Sequence, residues 1–196
     1  MKVTKERLSE LFRNKLMQAG LSEEHADQVA DVLVYADMRG AHSHGSIRVE
    51  YYCERLDRGG INKHPQFRFE KTGPATGIFH GDNGPGQLAA KLAMDEAINM
   101  AKSSGIAAVG VRSISHSGAL GYFVQQAARE DLIGISVCQA DPMVAPHGGS
   151  KPYYGTNPIA FAARGMNDDM VTFDMSTSVK PWGKILEARV KNEPIP

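Results

Sequence analysis

The 196-residue chain has only two cysteines, a single tryptophan and no net charge. Cys53 and Cys138 are far apart and form no C-x-x-C pair, which excludes a disulfide framework and a zinc ribbon and suits a reducing cytoplasm. Lys plus Arg and Asp plus Glu number 22 each, so no bulk field gathers nucleic acid or an anionic membrane, and a small-molecule partner is expected. No apolar run approaches membrane-spanning length, and residues 1–13 are charged and amphipathic rather than leader-like, so neither export nor insertion is expected. Internal repeats and low-complexity tracts are also missing. What remains is a globular composition, 42% hydrophobic and 22% charged, long enough to bury a core.

The first third has helical periodicity. Leu8, Leu11, Phe12 and Leu16 follow Thr4, a predicted N-cap, and Gly20 supplies the stop. Ser22 starts a second helix with Glu23 and Glu24 in its first turn and Ala26, Val29, Ala30 and Leu33 on its apolar face; Gly40 ends it. A polar elbow, Ala41-His42-Ser43-His44-Gly45, leads into a third helix over 46–58 with Val49, Tyr52, Cys53 and Leu56 inward. The period then changes. Short strands are predicted at 67–69, 77–80 and 106–111, with helices at 86–103 and 120–128 between and after them. The continuous apolar run 133–138 predicts a strand covered on both faces, and two more strands follow at 159–163 and 170–175. The division expected is a helical region, 1–72, and a mixed α/β region, 73–196.

Four segments carry side chains suited to chemistry. Gly84-Pro85-Gly86-Gln87-Leu88-Ala89 matches G-x-G-x-x-A, and Arg112 ends the next strand where a 2'-phosphate contact is conceivable. It is discounted as a dinucleotide fingerprint, because Gly81-Asp82-Asn83 intervenes after the strand and Pro85 lacks a backbone donor. In the elbow, Ser43, His44 and Arg48 can clamp a carboxylate, with Tyr52 four residues on and on the same helical face; the competing arrangement is a solvated loop with Arg48 paired to Glu50 or Glu54. Histidines two apart in a loop lack metal-binding helical spacing, so no metal is expected. His116, within Ser115-His116-Ser117-Gly118 beyond a strand's carboxyl end, is suited to moving a proton at neutral pH, or else to capping the next helix. No G-x-S-x-G elbow supports Ser-His-Asp hydrolysis. Finally, Asp174, Met175 and Ser176 end a strand where a carboxylate can meet ribose hydroxyls, or where a plain Ser/Thr turn can form.

Ser43-His44-Gly45 with Arg48, Asp82-Asn83-Gly84 with Gly86-Gln87, Ser115-His116-Ser117-Gly118, Tyr154-Gly155-Thr156-Asn157-Pro158 and Thr172-Phe173-Asp174-Met175 together resemble the malate/L-lactate dehydrogenase type 2 family. The resemblance implies an N-terminal helical region followed by a non-Rossmann mixed α/β nicotinamide-binding domain, assembled as a homodimer. It implies NAD, rather than NADP, as cofactor, His116 as the acid/base, and Ser43, His44, Arg48 and Tyr52 around a 2-hydroxy acid. Asp174, Met175, Ser176 and the segment at Ala140 would contact the cofactor. The stretches 32–37, 48–52, 122–129 and Cys138-Gln139 look most like the members that oxidise ureidoglycolate to oxalurate in allantoin breakdown, although those tend to have Ser where Ala140 stands. Malate, lactate or a diketo-sugar acid are the alternative substrates. Family members continue well beyond Ile195-Pro196, so the resemblance also implies a truncated fold, exposed apolar surface and poor solubility. The alternative role for such a fragment is an inactive dimerisation or binding module.

Overall fold

The computed structural model describes residues 3–179 and 182–194. Two compact units are formed, residues 1–122 and 123–196. The change of period near residue 72 therefore falls inside the first unit rather than at its border.

The first unit opens with three helices, α1 (Lys5–Gln18), α2 (Glu23–Met38) and α3 (Val49–Asp57). Thr4 and Ser22 cap the first two by accepting from Arg7 and His25 backbone N–H groups, each cap contributing about 1 kcal/mol. Leu16, Val29, Leu33, Val49, Tyr52 and Leu56 meet in one core. Leu11, expected on the apolar face of α1, is exposed, and Phe12 and Leu16 do the packing. Leu88 of α4 (Gly86–Ser104) joins the same core, which ties the helical region to the sheet.

That sheet has the order β1 (Arg68–Gly73), β2 (Thr76–Gly84), β3 (Ala108–Ile114), with β1 and β2 antiparallel and β2 and β3 parallel through the α4 crossover. Phe79 of β2 packs on Ala89 and Ala93 of α4. The strand predicted to stop at residue 80 runs on to Gly84. It does so through an irregularity in which Asp82 and Asn83 take φ of 47° and 54°, in the left-handed region. Asn62 holds this irregularity, its side-chain amide donating to the Asp82 carbonyl and carboxylate at 3.2 and 2.9 Å.

Helix α5 (Leu120–Arg129) carries the chain into the second unit, a three-stranded antiparallel sheet of β4 (Gly134–Val137), β5 (Ile159–Arg164) and β6 (Met170–Met175), followed by α6 (Trp182–Lys191). Coverage of β4 on both faces is not found. Ile135 and Val137 are 65% and 72% exposed, while Ala160 and Ala162 on the neighbouring strand are fully buried. Successive residues of a strand point to opposite faces, and among the described residues only one face of this sheet is covered.

Candidate active site

The elbow between α2 and α3 is shaped by Asp37. Its carboxylate accepts the Ser46 N–H at 2.7 Å and lies 2.9 Å from His42 Nδ1. Gly45 sits directly over it; a Cβ there would fall 2.2 Å from Asp37 Oδ1, so only glycine allows this approach. Two 3-10 turns, His42–His44 and Ser46–Arg48, result. They bring Arg48 Nε to 2.8 Å from the Ser43 carbonyl it donates to, and Ser43 Oγ to 2.9 Å from His44 Nδ1. The competing ion pair of Arg48 with a glutamate is not formed, since Glu54 pairs with Arg58 and Glu50 with Lys15. Both terminal guanidinium nitrogens of Arg48 stay without a hydrogen-bond acceptor among the described residues.

His116 follows β3, and the start of α4 holds its backbone. The Gly86 N–H donates to Ser115 Oγ at 3.0 Å, and a Cβ on Gly86 would fall 2.2 Å from the Ser115 carbonyl oxygen. His116 does not cap the next helix, which starts at Leu120. Instead its Nδ1 lies 2.6 Å from the Tyr52 phenol, and its ring stacks on His44 with centroids 5.6 Å apart and planes at 23°. Ser43, His44, Arg48, Tyr52 and His116 are thus one cluster.

Its electrostatics favour an anion. Desolvation first, then the Arg48 guanidinium, lowers the His44 pKa from 6.5 to about 4. Desolvation, then His44, then Arg48, lowers that of His116 from 6.5 to about 3. His116 is nevertheless exposed along one edge, so water there screens the effect. Tyr52, 2% exposed, has its phenol pushed up by burial and stays protonated. At neutral pH two uncharged imidazoles therefore stand beside one uncompensated cation.

In the second unit the ends of β4, β5 and β6 lie side by side, with Val137, Ile159 and Met175 in register. Residue 140 and the 174–176 segment are brought to the same edge. The Asn157 side-chain oxygen accepts the Ala140 N–H at 3.1 Å, and Thr177 donates through N and Oγ1 to the Thr156 carbonyl at 2.9 and 3.2 Å. The Ala140 N–H is thus engaged within the unit. Ser176 Oγ donates to the Ser178 carbonyl at 3.3 Å, forming the local turn that was the competing reading. Asp174 and Met175 are exposed at the strand end. No group of three or more His, Cys, Asp or Glu among the described residues is placed to hold a metal ion.

The profile of the malate/L-lactate dehydrogenase family matches residues 3–196. The chain belongs to this family. It is 59% identical over its whole length to ureidoglycolate dehydrogenase (NAD(+)) of Escherichia coli K12, and 42% identical to malate dehydrogenase of Pyrococcus horikoshii, covering 56% and 54% of those proteins. The P. horikoshii malate dehydrogenase structure superposes with a TM-score of 0.91 at 43% identity, over 94% of this chain and 53% of that one. Sulfolactate dehydrogenase of Methanocaldococcus jannaschii gives 0.90 at 40% identity, over 100% of this chain and 57% of that one. The chain spans just over half the length of these relatives.

The glycine-rich segment before α4 is a structural joint, and of the two reasons for discounting it as a dinucleotide fingerprint one holds and one does not. The strand does run directly to Gly84, but Pro85 has no N–H and that of Gly86 is taken by Ser115. Arg112 is also engaged, donating from Nε to His80 Nδ1 at 3.1 Å. Sequence reasoning missed Asp37, whose role as the elbow's anchor has no local signature because its partners lie five to nine residues away. It also gave Gln87 no role, although that side chain is buried.

Proposed function

We propose that this family member contributes the acid/base and substrate-binding part of an NAD-dependent dehydrogenase that oxidises the hydroxyl of a 2-hydroxy acid. The observation that carries this reading is the His116 to Tyr52 contact at 2.6 Å within a cluster whose nearby cation, Arg48, has no hydrogen-bond acceptor for its terminal nitrogens among the described residues. A substrate carboxylate offers two oxygens for those nitrogens. Its negative charge also offsets the effect of Arg48 on His116, easing formation of the imidazolium once the ring has taken the hydroxyl proton. An anion thus both binds and readies the base. His44, stacked on His116 and hydrogen-bonded to Ser43, supplies an uncharged polar edge for the substrate oxygens.

The second unit's donor set fits a dinucleotide by its chemistry: a strand-end carboxylate, Asp174, for ribose hydroxyls, the exposed Met175 thioether for an apolar ring, and the Ser176 oxygen as an acceptor. Bound NAD supplies the hydride acceptor. NAD is favoured over NADP by the similarity to the E. coli enzyme, whose name specifies NAD(+).

Ureidoglycolate, oxidised to oxalurate, is the substrate this reading favours, on the strength of 59% identity to that enzyme; malate, sulfolactate, lactate or a diketo-sugar acid are the other members of the assay panel. A place in allantoin and purine breakdown, a cytoplasmic setting and assembly as a homodimer complete the proposal. The open apolar face of the second unit gives some support to burial against another protein surface and favours, as a second reading, a binding module without turnover. NADH formation against the panel separates the two. Turnover that disappears in His116→Ala while NAD binding persists supports the dehydrogenase, whereas turnover unchanged in that variant removes His116 from its role.

A further inference from the structure

Asp37 lies in the last turn of α2, which holds no basic residue, and its side chain is only 10% exposed. Both conditions disfavour an acid there, because the carboxyl end of a helix carries partial negative charge and a carboxylate taken out of water is costly unless hydrogen bonds replace the water. The donors it collects all come from the elbow, on either side of Ser43, His44 and Gly45. His42 Nδ1 lies 2.9 Å from Asp37 Oδ1 at the near end, and the Ser46 N–H donates to Oδ2 at 2.7 Å at the far end. Between them Gly45 is pressed onto the carboxylate, so closely that a Cβ would fall 2.2 Å from Oδ1.

Arg48 takes its position from the segment bracketed in this way. Its backbone N–H donates to the Gly45 carbonyl at 2.9 Å and its Nε to the Ser43 carbonyl at 2.8 Å. Among the described residues Asp37 makes no ion pair with Arg48, so the carboxylate orders the segment that holds the guanidinium without taking up its terminal nitrogens. We propose that Asp37 is a positioning residue for the acid: by clamping the elbow at His42 and Ser46 it keeps the Ser43 carbonyl where Arg48 Nε reaches it, and so presents the terminal nitrogens of Arg48 to a substrate carboxylate. The inference rests on the reading of Arg48 as the carboxylate site. Asp37 acts through Arg48 and not through His116, which Tyr52 and the start of α4 hold separately.

Solvent exchange of the Arg48 Nε–H in the 15N-labelled full chain reports the clamp, and calorimetric titration with glycolate in the absence of NAD reports the acid site. In Asp37→Ala the Nε–H should exchange faster, and glycolate should bind about tenfold more weakly as a charge-assisted contact loses its geometry. Asp37→Asn keeps an acceptor for the Ser46 N–H and should weaken glycolate less; equal losses in the two variants would place the effect in the charge and overturn the clamp. Gly45→Ala reaches the same contact from the other side by displacing the carboxylate, so it should reproduce both effects, and it decides the matter if Asp37→Ala does not fold. In an Arg48→Gln background, Asp37→Ala should remove little further glycolate affinity, because residues acting as a unit are not additive. Additive losses overturn the proposal, as does an Nε–H whose exchange is unmoved in a natively folded Asp37→Ala. An unsubstituted chain that binds no glycolate counts against the carboxylate reading of Arg48, and the Nε–H exchange then judges Asp37 by itself.

Discussion

Two imidazoles held uncharged beside an arginine define the site, and their titration is coupled to folding. The folded values of His44 and His116, about 4 and about 3, lie below the unfolded value of 6.5. Between those limits the unfolded chain binds more protons, so stability is complete above about pH 6.5 and falls as pH drops toward 4. Each ring contributes at most about 1.4 kcal/mol per pH unit, and His116 less because water screens its open edge. Denaturant titrations across this range should show that slope, and His44→Asn should reduce it; an unchanged slope in the variant would remove His44 as its source. Tyr52→Phe takes away the hydrogen-bond partner of His116 Nδ1, and should lower turnover by roughly ten- to a hundredfold with little change in NAD affinity. The types of residue in this site were legible from sequence, because Ser43, His44 and Arg48 are close in the chain and His116 follows a strand. Their joining was not, since the Tyr52 to His116 contact spans 64 residues.

Among the elements, α4 matters most because its first turn touches the loop that carries His116. Gly86→Ala puts a methyl group into the Ser115 carbonyl and should cost about 1–3 kcal/mol in chemical denaturation; a variant as stable as the parent would show that this joint is loose. Helix starts were readable, as Thr4 and Ser22 show, since a cap is a local signal. Strand limits were less so. Asp82-Asn83-Gly84 has the composition of a turn, yet contacts from Asn62 and Gln66, distant in sequence, keep it in the ladder. The run at 133–138 looks the same whether its second face is covered or open, because composition does not say what packs there. Nor was α6 (Trp182–Lys191) anticipated, lying in a stretch without an evident cap. On the open face of the second unit Phe161 and Phe173 stack at 5.2 Å in register with Ile135. Phe161→Thr combined with Ile135→Thr should reduce self-association measured by light scattering; scattering unaffected by the pair would mean that this face is not the sticky one.

For the molecule as a whole, a neutral composition without a membrane-crossing helix among the described residues leaves recognition to a few placed side chains. The family relationship extends over essentially the whole chain and ranges from ureidoglycolate to malate and sulfolactate dehydrogenases by name. All three named substrates are 2-hydroxy acids, and the carboxylate and hydroxyl they share are the groups assigned to Arg48 and His116 in the proposed function. Those two proposed roles can be examined without turnover. A 1H–13C NMR titration of the His116 ring, with and without a 2-hydroxy acid and in the absence of NAD, measures whether an anion bound near Arg48 raises the pKa of the base. An upward shift from about 3 that is lost in Arg48→Gln is expected; a His116 pKa indifferent to the acid would mean that no anion held at Arg48 reaches the base.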